Sequence, residues 1–188
     1  MIEVEIKLPV SDRETAEKKL KQLGFEAGEL AEELDLYFTS EVHDFKQADE
    51  ALRIRKRRNV RTGETKAFLT YKGTKLDKVS MAREELETEI EDGDTGVRIL
   101  SSIGFREDSP VRKLRQYYSL GEMTVCVDQV DGLGDFLEAE ILVSSEEDRP
   151  SALQQIRELL EQLGHSMEET TRISYLSMLQ EKSAGKKM

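Results

Sequence analysis

Apolar and charged side chains alternate with a two-residue period in seven stretches of the chain, and this pattern predicts β-strands with one apolar and one ionic face. In residues 2–8, Ile2, Val4, Ile6 and Leu8 oppose Glu3, Glu5 and Lys7. Residues 52–57 set Leu52 and Ile54 against Arg53, Arg55 and Arg57, and residues 66–72 set Ala67, Leu69 and Tyr71 against Lys66, Thr70 and Lys72. Arg83, Glu85, Glu87 and Glu89 share one face of the next stretch, and Lys113, Arg115 and Tyr117 share one face of 111–120. Cys126 and Asp128 then oppose Val125 and Val127, and Glu138 and Glu140 oppose Leu137, Ala139 and Ile141. Residues 34–38, with Asp35 and Tyr37 on one side, complete a set of eight.

Four stretches carry helical spacing instead. Residues 11–23 open with the capping box Ser11-x-x-Glu14 and place Ala16, Leu20 and Leu23 on one stripe. Residues 93–104 follow an expected Asp94 cap, residues 150–164 open with Ser151-x-x-Gln154, and residues 168–182 carry Ile173, Leu176 and Leu179. A short repeat accompanies these helices: Leu-Gly-Phe at 23–25, Ile-Gly-Phe at 103–105 and Leu-Gly-His at 163–165. The order strand, helix, strand, strand, strand therefore occurs twice, which predicts a pseudo-symmetric sheet of eight strands. Residues 1–182 read as one domain, 183–188 as a disordered tail, and the polar loops 40–50 and 73–79 as mobile covers.

Composition narrows the chemistry. The 188 residues include 28 Lys plus Arg and 39 Asp plus Glu, for a net charge of −11, while hydrophobic residues make up 37%. That predicts a lean core in a single domain. No apolar run is long enough to cross a bilayer and the first residues lack a signal pattern, so a cytoplasmic protein that binds neither membrane nor nucleic acid is expected, as monomer or homodimer. The single cysteine excludes an internal disulfide, and two histidines exclude a His/Cys zinc cage. Any metal must be held by carboxylates.

A solvated strand face usually mixes charges with Ser, Thr and Gln, and like charges two apart repel. These faces instead repeat Arg-x-Arg, Glu-x-Glu and Lys-x-Arg, so a multiply charged ligand is expected. Eight strands can close into a barrel that encloses one small ligand, with helices packed outside and the ionic faces turned inward: an α+β fold around a charged tunnel. Guanidinium and ammonium groups inside suit a polyphosphate, and carboxylates suit Mg²⁺ or Mn²⁺. The six basic residues in 53–61 also admit a nucleic-acid arm, but their alternation with Leu52 and Ile54 argues against it.

Taken in order, Glu3-x-Glu5-x-Lys7, Asp35-x-Tyr37-Phe38, Leu52-Arg53-Ile54-Arg55, Thr70-Tyr71-Lys72-Gly73, Arg83-x-Glu85-x-Glu87, Lys113-x-Arg115, and Asp128 through Gly132-Leu133-Gly134 to Glu138-x-Glu140 resemble the CYTH superfamily, the triphosphate tunnel metalloenzymes. The ending Ser174-Tyr175-Leu176-x-x-Leu179 is similar to its class IV adenylyl cyclase branch. The resemblance implies a divalent-metal enzyme converting ATP to cyclic AMP and pyrophosphate; hydrolysis of thiamine triphosphate or inorganic triphosphate is the alternative, and a non-catalytic polyphosphate-binding module is a third. It implies a metal cluster of Glu3, Glu5, Asp128, Glu138 and Glu140, of which Glu5, Asp128 and Glu138 are the catalytic candidates. Lys7, Arg53, Arg55, Lys72, Lys113 and Arg115 would grip the phosphates, and Glu85, Glu87 and Tyr37 would line the lumen.

Overall fold

The computed structural model describes residues 1–185. Its elements run β1 (Ile2–Pro9), α1 (Arg13–Gln22), β2 (Glu26–Thr39), β3 (Ala51–Asn59), β4 (Thr65–Lys72), β5 (Arg83–Ile90), α2 (Gly93–Ser102), β6 (Arg106–Glu107), β7 (Val111–Leu120), β8 (Met123–Val130), β9 (Gly134–Val143), α3 (Arg149–Leu163) and α4 (Tyr175–Gly185). The strand order β3-β4-β5-β1-β9-β8-β7-β2 returns to β3, and the pairings are antiparallel throughout. Eight long strands thus close into the expected barrel, and two-residue β6 extends the end of β2. No helix among the described residues is long and apolar enough to cross a membrane.

Strand parity divides the side chains between two environments. The even-numbered apolar residues of β1 and their counterparts in β8 and β9 turn outward, where they meet Ala16 and Leu20 of α1 and Ile156, Leu160 and Leu163 of α3. That layer is the main core. Helix α2 lies against β3 and β4 through glycines: a Cβ at Gly96 would fall 2.8 Å from Ile90 Cδ1. Helix α4 occupies one end of the barrel, where Tyr175, Leu176 and Leu179 pack with Val111, Val130 and Phe136.

Several local expectations are corrected. Asp12, not Ser11, caps α1, accepting the Thr15 N–H at 3.1 Å and the Thr15 hydroxyl. Asp92, not Asp94, caps α2 in the same way, through Thr95. The two halves therefore share an Asp-x-x-Thr start, in which one carboxylate serves two donors and outcompetes its neighbour. Helix α3 has no capping box; Pro150 in its first turn needs no partner for a missing N–H. The recurring Gly24, Gly104 and Gly164 end their helices in the left-handed region, with φ of 91°, 103° and 85°.

Three larger differences have physical causes. Strand β2 begins eight residues before the expected 34, because acids on both faces at Glu32 and Glu33 and a register shift between Ala27 and Leu30 mask its two-residue period. The last helix begins at Tyr175 rather than 168, because Thr171 is drawn into a β-bridge with Lys7, its N–H donating to the Lys7 carbonyl at 2.8 Å. It also continues through Ser183, Ala184 and Gly185, where a disordered tail was expected; residues 186–188 lie outside the described residues. The second cover, 73–79, is fastened to its surroundings: Arg172 donates to the Asp77 carbonyl and to that of adjoining Ser80, and Arg149 pairs with Asp77.

The outer layer should carry most of the stability. Ile156→Ala, which empties a fully buried site beneath α3, is expected to lower the unfolding free energy by about 2–5 kcal/mol in denaturant titration. Exposed Ile99→Ala should change it by less than about 0.5 kcal/mol.

Candidate active site

The inward faces enclose a cavity of about 570 Å³. Its wall is built from Glu3, Glu5 and Lys7 of β1, Tyr37 of β2, Arg53 and Arg55 of β3 and Lys72 of β4. Glu85 and Glu87 of β5, Lys113 and Arg115 of β7, and Glu138 and Glu140 of β9 complete it. Every residue singled out from the sequence lines this space except Asp128, which is 0% exposed and lies behind Arg115.

Most of the cations are already held by carboxylates. Arg55 donates to both oxygens of Asp35 at 2.6 and 2.9 Å, and its Nε is 3.2 Å from Glu33. Lys113 Nζ sits 3.1 Å from Asp35 and 3.2 Å from Glu33. Arg115 donates to both oxygens of Asp128, at 2.6 and 2.5 Å, and also to Glu138. Lys72 lies between Glu3 at 2.7 Å and Glu85 at 2.8 Å. Arg53 is held more loosely, with Thr70 at 3.4 Å and Asp35 at 3.6 Å, and its buried Nε has no hydrogen-bond partner.

Acidities separate the carboxylates into two groups. Burial alone would raise Glu33, Asp35 and Glu138, but the adjacent cations reverse this: Arg55 and Lys113 bring Glu33 down to about 2 and hold Asp35 well below its usual range. Arg115 and Lys7 do the same for Glu138. Those acids stay ionised and orient the guanidinium and ammonium groups. In contrast, burial pushes Glu140 up to about 8, reinforced by Glu3 and Glu5. Burial also raises Glu5, with Glu138 and Glu3 adding to it, and raises Glu3 despite Lys72.

In the second group only Glu3 has an ion-pair partner, Lys72; Glu5 and Glu140 have none among the described residues. Glu5 and Glu140 are direct cross-strand partners, an arrangement in which like charges repel, and Glu3 lies two residues along the same face. Hard oxygen donors under mutual repulsion fit Mg²⁺ or Mn²⁺, whose charge would relieve it. Among the described residues, no three such groups converge on one point as the side chains stand.

Functional residues outside the sequence-derived set also emerge. Glu33 falls where Glu32 and Glu33 put acid on both faces of β2 and mask the alternation, and Asp35 has no role in the sequence-derived set; together they anchor Arg55 and Lys113. Tyr175 reaches in from α4. Its hydroxyl donates to Asp128 at 2.9 Å, its ring packs edge-on against Phe136, and Lys7 Nζ lies 4.4 Å from the ring centre. Only contact across the fold reveals this, because Tyr175 has no strand alternation to mark it. Cys126 of β8 is buried and does not line the cavity, and burial pushes its thiol up.

A closed antiparallel barrel with a polar, cation-rich and carboxylate-rich lumen defines the class, and comparison with known proteins agrees. The CYTH domain matches residues 1–175, and the chain belongs to that family. A protein of Methanocaldococcus jannaschii, provisionally named an adenylate cyclase, is 39% identical over 178 residues, covering 95% of this chain and 98% of the relative. The adenylate cyclase CyaB of Aeromonas hydrophila is 27% identical over 180 residues, covering 95% and 89%. The solved structure of the PH1819 protein from Pyrococcus horikoshii superposes with a TM-score of 0.87 at 37% identity, covering 96% and 99%.

The acid patch gives the metal-free protein a pH signature. Glu140 holds its proton to about pH 8 when folded, against an ordinary value of 4.5, so the folded chain binds more protons between these limits. Stability from this group is present below the lower value and is lost as pH rises through the upper one. Glu140→Gln removes that titration. Calorimetry should show the variant melting above the wild type at pH 8.5, with the gap shrinking at pH 5.

Proposed function

We propose that this CYTH protein is a divalent-metal-dependent enzyme that acts on a triphosphate inside the barrel, converting ATP to cyclic AMP and pyrophosphate. The observation that carries the reading is the division of the lumen into a cationic side, braced by ionised carboxylates, and a carboxylate patch with raised proton affinity. Names given to two relatives, at 39% and 27% identity, favour the cyclase.

In this reading Arg53, Arg55, Lys113 and Arg115 bind phosphate oxygens, with Lys7 and Lys72 at the edges. Guanidinium groups already oriented by Asp35, Glu33, Asp128 and Glu138 meet the ligand without reorganising, the condition under which fixed charges stabilise a transition state best. Glu3, Glu5 and Glu140, with Glu138 beside them, would hold Mg²⁺ or Mn²⁺, which would supply Lewis-acid polarisation of the phosphate oxygens. Asp128 would act through Arg115. The ribose 3′-hydroxyl bonds to the α-phosphorus, the bond from that phosphorus to the bridging oxygen breaks, and pyrophosphate leaves against the cations. The hydroxyl proton passes to a carboxylate of the cluster that is ionised when the metal is bound.

The same charges would serve water attacking a terminal phosphorus. A structural neighbour from Hippeastrum carries a dominant triphosphatase activity according to its description, although at 21% identity it informs the fold alone. Incubation with Mn²⁺ and ATP, inorganic triphosphate or thiamine triphosphate, followed by chromatography, separates the outcomes. Cyclic AMP is expected; orthophosphate would transfer the protein to the hydrolases, and no turnover would leave a binding module. EDTA should abolish turnover, and Glu5→Gln should lower kcat by at least about a hundredfold while exposed Arg58→Ala leaves it unchanged.

A further inference from the structure

Among the buried cations of the cavity wall, one lacks the bracing that the others share. Arg55, Lys72, Lys113 and Arg115 each lie within 3.2 Å of a carboxylate oxygen, and Arg53 and Lys7 have acids at 3.6 and 3.5 Å. Arg83, the first residue of β5, lines the same cavity and is 6% exposed, yet it makes no ion pair among the described residues. The one hydrogen bond of its side chain runs from Nε to the Met81 carbonyl, at a long 3.4 Å. Nearby acids are occupied. Glu3, its cross-strand partner, accepts from Lys72, and both oxygens of Asp49 are taken by Lys75, one by the ammonium and one by the backbone N–H.

The backbone that presents Arg83 is fixed rather than loose. The Met81 N–H donates to the Glu5 carbonyl at 2.9 Å, the Gly73 N–H to the Glu84 carbonyl at 2.9 Å, and the Leu76 N–H to the Ala82 carbonyl at 2.8 Å. Arg172 fastens the same loop through two of its carbonyls. A guanidinium group has five N–H donors, and only one of these is used here. No atom of Arg83 is among the buried atoms left without a hydrogen-bond partner, so its unused N–H groups open onto the cavity, where an external anion can reach them.

We propose that Arg83 is a phosphate-binding residue, an additional cation of the triphosphate grip that contacts one phosphoryl group directly. The inference rests on the triphosphate reading and adds a residue to it. Its chemistry differs from that of the braced cations: a phosphate reaching Arg55 or Arg115 shares the guanidinium with ion-paired carboxylates, whereas at Arg83 the neighbouring Asp49 exerts a charge effect without forming an ion pair. Arg83 should therefore contribute more to affinity than a braced cation does.

Calorimetric titration of sodium tripolyphosphate into the metal-free full chain tests this apart from catalysis. The wild type is expected to bind, Arg83→Ala to bind at least about tenfold more weakly, and Arg83→Lys to fall between them. Arg83→Gln, run beside these, keeps a planar donor near Met81 and decides the result if the alanine variant melts early. Exposed Arg58→Ala should bind within twofold of wild type. If wild type binds and both neutral variants bind within twofold of it, Arg83 is not a phosphate contact and the triphosphate reading survives. If wild type itself shows no binding, both fall.

Discussion

A barrel with an ionic interior has to satisfy every charge it buries, and most of this architecture answers to that requirement. Removing a carboxylate or guanidinium from water costs several kcal/mol, which a nearby opposite charge and hydrogen bonds must offset. Here Asp35, Glu33, Asp128 and Glu138 are placed against Arg55, Lys113 and Arg115, and the pairs arise from strand register. Asp35 faces Arg55, Glu33 faces Lys113, and Arg115 faces Asp128 across adjacent strands. The hydrophobic core, displaced from the barrel's centre, forms instead between the outer surface and α1 and α3. Helices are therefore not accessories; without them the apolar faces of β1, β8 and β9 would meet water.

The lumen is neutralised unevenly, and the unevenness indicates the ligand. Where cations and acids are matched, the groups are locked in position and ionised. Where they are mismatched, Glu5 and Glu140 hold their protons more tightly on one side, and Arg83 makes no ion pair among the described residues on the other. A polyphosphate carrying a divalent cation meets both needs together. Helix α4 closes the arrangement, since Tyr175 ties its first turn to Asp128 and covers Lys7.

Much of this was legible in the sequence because strand parity is strict: a residue on the ionic face of β1 or β9 has to point inward once the apolar face is covered. The barrel, its strand count and the cavity-lining side chains follow from the two-residue period. What stayed hidden lay where that period fails. Acids on both faces at Glu32 and Glu33 masked the alternation there, the bridge between Thr171 and Lys7 delayed the last helix, and Tyr175 acts from an element with no alternation. Ion pairing was equally invisible. Parity shows that Asp128 faces inward but not that Arg115 and Tyr175 enclose it.

The central claim is that the braced cations and the strained acid patch serve one ligand, a metal-bound triphosphate. A crystal structure with Mn²⁺ and a non-hydrolysable triphosphate analogue tests it most directly, using manganese anomalous scattering to place the ion. The account predicts phosphate oxygens on Arg53, Arg55 and Arg115, with an anomalous peak at coordination distance from Glu5 and Glu140. A ligand bound outside the barrel, or a lumen left unchanged with no manganese near those glutamates, would contradict it.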